Sequence, residues 1–251
     1  MDDKLKKIIS DYVSDYMGKS SWNCVVKKSI PVIWFGNIER YKESELKIVT
    51  VGINPSLKEF PDLPEKPRFN IPDSLSGNEE NLYNILNDYF NNNPYKLWFE
   101  QYEKILEGSF NCSYGGKMQN KTDKLKNIAI HIDCCTAIAT NPIWGHLDKI
   151  DKNKIIRNDL FNSLIEYLEP DVILFSAGEE MFNKVFSNGF ILNDKSLQYE
   201  NYTKRAYIRT YKKGNTTLMW GRNHGIPFAH ITIEEINLII KNFLENGLLN
   251  R

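Results

Sequence analysis

The run of residues 46–53, with the sequence LKIVTVGI, constrains the fold of this chain more than any other segment. Its short length and its consecutive apolar, β-branched residues are typical of a strand that is buried on both faces. Pro55 follows almost at once and cannot donate to a strand ladder, so the strand has to end before it. Strands of this kind occur in parallel sheets covered by helices, and the run therefore indicates an α/β fold.

Other segments agree with this fold class. Buried strands are predicted over residues 128–139 and 171–175, and alternation over residues 199–220 predicts a strand pair about a turn at 212–215. Apolar residues at helical spacing predict helices over residues 3–17, 81–90, 94–106, 158–168, 179–186 and 232–244, with long loops over 57–80 and 111–127. We predict a single domain over residues 1–251, with an N-terminal helical extension at about 1–29. Its fold is a three-layer α/β/α sandwich around a central, mostly parallel sheet of about four or five strands.

Composition is typical of a globular domain. Hydrophobic residues make up 41% and charged residues 25% of the chain. No apolar run reaches about 18 residues, and the N-terminus lacks the apolar stretch of a secretion signal. We therefore expect a cytoplasmic monomer without a membrane span. The 32 basic residues equal the 32 acidic ones, which disfavours binding through a large basic surface but leaves room for a local phosphate-contacting patch.

The cysteines and histidines predict no metal site and no cofactor. Cys24, Cys112, Cys134 and Cys135 contain no C-x-x-C pair, so neither zinc nor iron–sulfur spacing is present. The four histidines lack the short helical spacing of a metal-binding pair. Buried, reduced thiols are the expected state of the cysteines.

Three unusual turns follow predicted strands. They are Asn54-Pro55, Asn141-Pro142 and the segment 223–225, which reads Asn-His-Gly. In open α/β sheets the ligand crevice lies beyond the carboxyl ends of the parallel strands. The three turns are therefore expected to meet at one crevice.

The first of these turns carries a family resemblance. Residues 52–56, GINPS, resemble the first motif of the uracil-DNA glycosylase superfamily, closest to the G-x-N-P form of its mismatch-specific and single-strand-selective branches. The wider run, Trp34-Phe35-Gly36 and then TVGINPSLKEF from Thr50, resembles a less studied bacterial branch. The order of motifs is similar from about residue 30 to 245. The resemblance implies a monofunctional DNA glycosylase that flips a base, hydrolyses its N-glycosidic bond and leaves an abasic site.

The resemblance assigns roles to the first motif. Asn54 would hold the attacking water through its amide oxygen, and Gly52, Ile53, Pro55 and Ser56 would border the base. The alternative is that Asn54 only ties down the turn before Pro55. The small Ser56 replaces the Gly or Tyr of better-known branches, so a bulky base becomes admissible.

Further residues are assigned to the flipped base. Phe60 or Phe69 would stack on it, although either could simply anchor a long loop. Asn141 would read its pairing edge, unless it is only a turn residue. Asp133 shares a strand face with His131 and would contact the substrate or cap a neighbouring loop.

The segment 222–228 resembles, in its position along the chain, the loop through which members of the family contact DNA. His224 would stabilise charge on the departing base, with His230 as the alternative histidine. Arg222 would contact a phosphate, and Ile226 or Phe228 would wedge into the vacated base stack. Asn223 and Gly225 complete this DNA-contacting set, although Gly225 replaces the Pro that is usual in the family.

Three functions remain open from the sequence. The substrate is uracil or another deaminated base, as in DNA repair, or a bulky modified pyrimidine of foreign DNA, as in antiviral defence. A third possibility, from a different class, is a catalytically silent nucleic-acid-binding module on the same scaffold.

Overall fold

A mixed β-sheet forms the centre of the molecule in the computed structural model, which describes residues 1–61, 65–71, 77–120, 125–186 and 188–249. The strands are β1 (Ile48–Gly52), β2 (Cys112–Ser113), β3 (Asn127–Ile128), β4 (Ile130–Asp133), β5 (Val172–Ser176), β6 (Ile191–Leu192), β7 (Tyr199–Asn201), β8 (Ala206–Lys213) and β9 (Thr216–Gly221). Seven of these form the central sheet in the order β4-β1-β5-β9-β8-β6, with β7 also paired to β8. The short β2 and β3 pair separately.

The sheet combines a parallel half with an antiparallel half. β4, β1, β5 and β9 run parallel, and β1 lies at the centre between β4 and β5. β8 and β9 form the hairpin predicted from alternation, and β6 and β7 extend its edge. Those two strands have two and three residues, too few to produce a periodic pattern in the sequence.

The helices cover both faces of the sheet and complete the predicted three-layer architecture. They are α1 (Asp3–Lys19), α2 (Ile38–Lys42), α3 (Glu79–Asn87), α4 (Lys96–Ser109), α5 (Lys149–Ile155), α6 (Asn158–Leu168), α7 (Glu179–Phe186) and α8 (Ile233–Glu245). α4 packs on α8, and α1 packs on α6 and α3. Thr232 and Glu235 form a capping box that starts α8, as expected for a Thr before an apolar helix.

The second predicted strand is shorter than expected. β4 ends at Asp133, six residues before Ala139. The buried residues that follow pack against the segment at 25–32, where the N–H groups of Val26 and Val32 donate to the carbonyls of Ala139 and Ala137. The segment after Asp133 is buried although it is not a strand, and its apolar composition is therefore that of a strand. This is why the predicted strand is too long.

The four parallel strands end at the same edge of the sheet, at Gly52, Asp133, Ser176 and Gly221. The loops that follow these residues form the walls of the site described below. All four cysteines are buried and free. Within the described ranges, no helix combines the length and apolar character needed to cross a membrane.

Candidate active site

A pocket of about 460 Å³ opens at the carboxyl ends of the parallel strands, where ligands bind in open α/β sheets. This volume lies in the range of small-molecule sites. Its lining residues come from β4, from the loops after the four strands, from α4 and the residue before it, and from the segment before α2: Phe35, Ile53, Asn54, Pro55, Ser56, Glu59, Tyr95, Trp98, Phe99, His131, Asp133, Ile143, Trp144, Gly145, Ala177, Gly178, Asn223 and Gly225. None of these side chains is a lysine or an arginine.

The floor of the pocket lies where β1 and β4 run side by side. Gly52 is the register partner of Asp133. A methyl group at Gly52 would lie 2.3 Å from Oδ1 of Asp133 and 2.8 Å from Nε2 of His131. Both side chains therefore lie directly against the backbone of Gly52, an approach that only a residue without a Cβ allows.

His131 is held from behind by a buried chain of polar groups. Its Nδ1 lies 2.7 Å from Oγ1 of Thr50, which lies 2.5 Å from the hydroxyl of Tyr114. Its Nε2 lies 3.6 Å from Oδ1 of Asp133. The imidazole is thus fixed in orientation, with one nitrogen inside the core and the other beside the carboxylate in the pocket.

Asn54 has its amide oriented by two acceptors. Its Nδ2 donates to the carbonyl oxygen of Pro55 at 2.6 Å and to Oγ1 of Thr140 at 2.9 Å. Because a carbonyl oxygen only accepts, the nitrogen has to face Pro55 and the oxygen has to face the other way. No described residue donates to Oδ1 of Asn54, so this atom remains available to a water molecule or a ligand.

The turn after Asn54 carries a buried carboxyl into the pocket. The Ser56 hydroxyl accepts from the N–H of Lys58 and starts a short 3₁₀ helix, Leu57–Glu59. Glu59 is 5% exposed, and its Oε2 accepts from the Tyr89 hydroxyl at 2.5 Å. Burial raises the pKa of Glu59 to about 7, against the lowering effects of the Tyr89 hydrogen bond and the charge of Arg68.

The walls of the pocket are aromatic. Phe35 and Phe99 are buried, line the pocket and pack on each other with ring centroids 5.3 Å apart. Tyr95, Trp98 and Trp144 are partly exposed. Flat aromatic walls around a few polar groups suit a planar ligand of the size of a nucleobase.

The two predicted stacking residues lie elsewhere. Phe60 and Phe69 are buried and stack on each other with ring centroids 5.3 Å apart. Phe69 also packs on Phe35, so the pair forms a layer behind the pocket wall and neither ring lines the pocket. The prediction that Phe60 or Phe69 lies against the base is corrected, because the loop that carries them turns inward. The phenylalanine at the pocket wall in front of them is Phe35.

Asn141 also lies away from the pocket. It is exposed and precedes a cis peptide bond to Pro142, eight residues beyond the end of β4 and not at a strand end. The neighbouring Thr140 is buried and contacts Asn54. The assignment of Asn141 as the base-reading residue is therefore corrected, since the polar residue at the strand end is Asp133.

Some residues of the loop after β9 line the pocket and others lie on the protein surface. Asn223 and Gly225 line the pocket, and Ile226 is 45% exposed beside them. His224 is exposed and does not line the pocket, and its ring lies 5.4 Å from the exposed ring of His230. Arg222 donates to the carbonyl of Arg205. The histidine inside the pocket is therefore His131 and not His224.

Phe228 is buried and cannot be the exposed wedge that the sequence predicts. It is fully inaccessible, packs against Tyr102, and its ring occupies the space that a Cβ at Gly221 would need. Its backbone N–H donates to Oγ of Ser176. The apolar Ile-Pro-Phe sequence does not show which of its residues points inward; Ile226 is the exposed one.

Phe228→Ala is expected to destabilise the protein by about 3–5 kcal/mol, because it leaves a large cavity between β9 and α4. Urea unfolding followed by circular dichroism measures this change. Ile226→Ala changes an exposed residue two positions earlier in the same loop. It is the matched control and should change the free energy of unfolding by less than about 0.5 kcal/mol. Equal stability of the two variants would contradict the buried position of Phe228.

Most of the lining residues were not predicted as site residues, and four of these are chemically notable. Glu59, Phe35, Trp98 and Trp144 reach the pocket from four different segments. Phe35 and Glu59 lie within the runs that carry the family resemblance, and that position was the only available signal for them. Trp98 belongs to an amphipathic helix whose aromatic residues indicate core packing equally well.

A larger cavity of about 1040 Å³ lies at the opposite edge of the sheet. It is bordered by residues next to the amino ends of the strands, among them Lys47, Asp171 and Thr216. It also contains Asn158, whose Oδ1 is buried without a hydrogen-bond partner among the described residues, but it lies away from the carboxyl ends of the parallel strands, where ligands bind in open α/β sheets. We therefore place the candidate active site in the smaller pocket.

Comparison of the chain with protein-family models and with curated proteins finds no match. The family resemblance therefore depends on the motifs given above. Among the residues that the structure describes, no three His, Cys, Asp or Glu side chains are grouped as they would be to hold a metal ion.

Proposed function

We propose that this protein is a DNA glycosylase that hydrolyses the N-glycosidic bond of a flipped pyrimidine. The observation that carries the proposal is the amide oxygen of Asn54, which is oriented by Pro55 and Thr140 and has no partner among the described residues. It lies in a nucleobase-sized aromatic pocket that also contains the Asp133 carboxylate.

Asn54 and Asp133 have different tasks in this reaction. As the bond from C1′ to the base breaks, positive charge develops on the sugar. The Asp133 carboxylate stabilises this charge, and the oxygen of Asn54 positions a water molecule for attack on C1′. An amide is a poor base, so the attacking water loses its proton to solvent during the attack.

The rim of the pocket suits an extrahelical base. Ile143 is exposed and lines the pocket, and the exposed Ile226 follows the lining residue Gly225 in the loop after β9. Either can fill the space that a flipped base leaves in the stack. Lys58 and Arg222 lie next to pocket residues in sequence and are the candidate phosphate contacts.

The substrate within this class is uracil-like or a bulky modified pyrimidine. Ser56 is small and partly exposed, and its hydroxyl accepts from Lys58, so it does not close the pocket as a tyrosine would. This favours admission of a base with a substituent at ring position 5. Action on modified bases of foreign DNA is therefore kept as a variant of the same proposal.

A catalytically silent nucleic-acid-binding module is the second candidate. It is favoured by the exposed position of His224, because the histidine that the family resemblance assigns to catalysis does not lie in the pocket. The two candidates differ in one measurable property, the appearance of an abasic site.

An oligonucleotide cleavage assay tests the proposal. Single- and double-stranded oligonucleotides that contain uracil, 5-hydroxymethylcytosine or glycosylated 5-hydroxymethylcytosine are incubated with the protein and then treated with alkali. Strand breaks at the position of one of these bases are the expected result. Binding to the same oligonucleotides without any strand break supports the silent module and contradicts the proposal.

A further inference from the structure

The pocket contains two carboxyl groups in contrasting surroundings. Asp133 lies against the backbone of Gly52 and beside the imidazole of His131. Glu59 is enclosed by the turn after the first motif and by the aromatic layer that includes Tyr89. Glycosyl transfer commonly uses two carboxyl groups, one that is ionised and one that delivers a proton.

One oxygen of Glu59 is occupied and the other is unused. Oε2 accepts from Tyr89, whose hydroxyl in turn accepts from the backbone N–H of Tyr95. The carboxyl is thereby held in one orientation at the pocket wall. No described residue donates to Oε1, which leaves this atom to a ligand.

We propose that Glu59 is the general acid of the reaction and donates a proton from Oε1 to the departing base. This inference depends on the proposed glycosylase function and adds a catalytic residue to it. The assignment replaces His224, which is exposed and does not line the pocket.

The chemistry of the pocket requires such a donor. A base that leaves with the electron pair of its glycosidic bond is an anion, and the pocket lining provides no lysine or arginine to neutralise it. The Asp133 carboxylate would repel the anion. Protonation of the base as it leaves removes this repulsion.

The step balances as follows. The bond from C1′ to nitrogen breaks, its electron pair stays with the base, and the proton of Glu59 moves to a ring atom of the base, which leaves as a neutral molecule. Water held at Asn54 forms the new bond from oxygen to C1′ and gives one proton to solvent. Glu59 regains a proton from solvent, so the enzyme returns to its starting state.

The protonation state of Glu59 fits this role. The pKa of Glu59 is raised to about 7, because burial and the charge of Asp133 raise it more than the Tyr89 hydrogen bond and the charge of Arg68 lower it. His131 and Tyr95 are the other titratable groups that border the pocket. At neutral pH a large part of the enzyme therefore carries the proton, and the protonated part decreases as the pH rises above about 7.

Glu59→Gln is the decisive variant, because the amide still accepts from Tyr89 but cannot act as an acid. We expect kcat to fall by about 100-fold or more on the pyrimidine that the wild type releases. The loss should be clearly smaller on the 5-fluoro analogue of the same base, a better leaving group that needs less protonation. The decrease in kcat/KM above about pH 7 should disappear in this variant.

Two further variants separate catalysis from structure. Glu103→Gln changes another buried glutamate whose pKa is raised to about 7 and which accepts from Ser113 and Tyr114 outside the pocket. It should leave both the rate and the pH profile unchanged. Tyr89→Phe removes the hydrogen bond that lowers the pKa of Glu59, so the alkaline limb of the profile should move to higher pH.

The outcomes distinguish a failure of the glycosylase function from a failure of the general-acid role of Glu59. If the wild type releases no base from any oligonucleotide, the glycosylase function is wrong and the role of Glu59 is wrong with it. If the wild type is active and Glu59→Gln loses the same factor on both leaving groups, or keeps the alkaline limb, only the general-acid role is wrong. Melting temperatures of all variants verify that they are folded.

Discussion

Replacement of Asn54 by alanine is expected to reduce base release by at least about 100-fold while the protein stays folded. Asn54 provides the only side-chain amide of the first motif, and the substitution removes two hydrogen bonds, to the carbonyl of Pro55 and the hydroxyl of Thr140, without changing a strand. Removal of the amide leaves the attacking water without a fixed position. The rate constant of a single-turnover reaction measures the effect, because product release does not limit it.

The chain offers a closely matched control for this variant. Asn193 also donates from Nδ2 to a threonine hydroxyl, Oγ1 of Thr210, at 2.9 Å, and it lies in the antiparallel half of the sheet. Asn193→Ala removes the same type of hydrogen bond and should retain full activity. Equal rates for Asn54→Ala and the wild type would show that Asn54 only ties down the turn.

The orientation of the Asn54 amide can also be changed through the residue that accepts its hydrogen bond. Thr140→Val removes one of the two acceptors that orient the amide. A loss of activity in this variant, smaller than that of Asn54→Ala, would identify Thr140 as a positioning residue. The magnitude of the loss depends on how firmly the remaining bond to Pro55 holds the amide.

The sequence predicted those parts of the fold whose patterns are local. The run before Asn54-Pro55 contains both its burial pattern and its stop, so the strand and its turn were placed correctly. The same holds for α7, predicted over 179–186 and observed at Glu179–Phe186. The predicted strand was wrong beyond Asp133, because an apolar stretch is equally consistent with burial as a strand of the sheet and with burial as a loop beside the sheet.

The candidate site was harder to predict because its residues meet through distant contacts. The burial of Glu59 depends on Tyr89, 30 positions away, and nothing in the residues around Glu59 reveals this contact. The exposure of His224 and the burial of Phe228 are decided by how one loop folds back on Ser176. His131 and Asp133 were recognised as a pair because alternation along a strand is itself a local pattern.

Gly52→Ala is expected to reduce activity by about 100-fold with little loss of stability. The new methyl group would lie 2.3 Å from Oδ1 of Asp133 and 2.8 Å from Nε2 of His131. Both are ends of side chains, so they can move away while the strands stay in register. A displacement of about 1 Å in a reacting group is enough for a loss of this size.

The rate of base release and the melting temperature of the Gly52→Ala variant report separately on the position of the reacting groups and on the packing of the strands. Gly18→Ala is the control, because a methyl group at that position in α1 meets nothing within 4 Å. It should leave the rate of base release unchanged. A variant Gly52→Ala with wild-type activity would mean that Asp133 and His131 can shift without consequence, which would remove both from the mechanism. A variant that loses activity at an unchanged melting temperature would instead show why a glycine follows the strand. The side chains of β4 then need the backbone of β1 as their support, and the close approach of the two strands positions the carboxylate for the reaction.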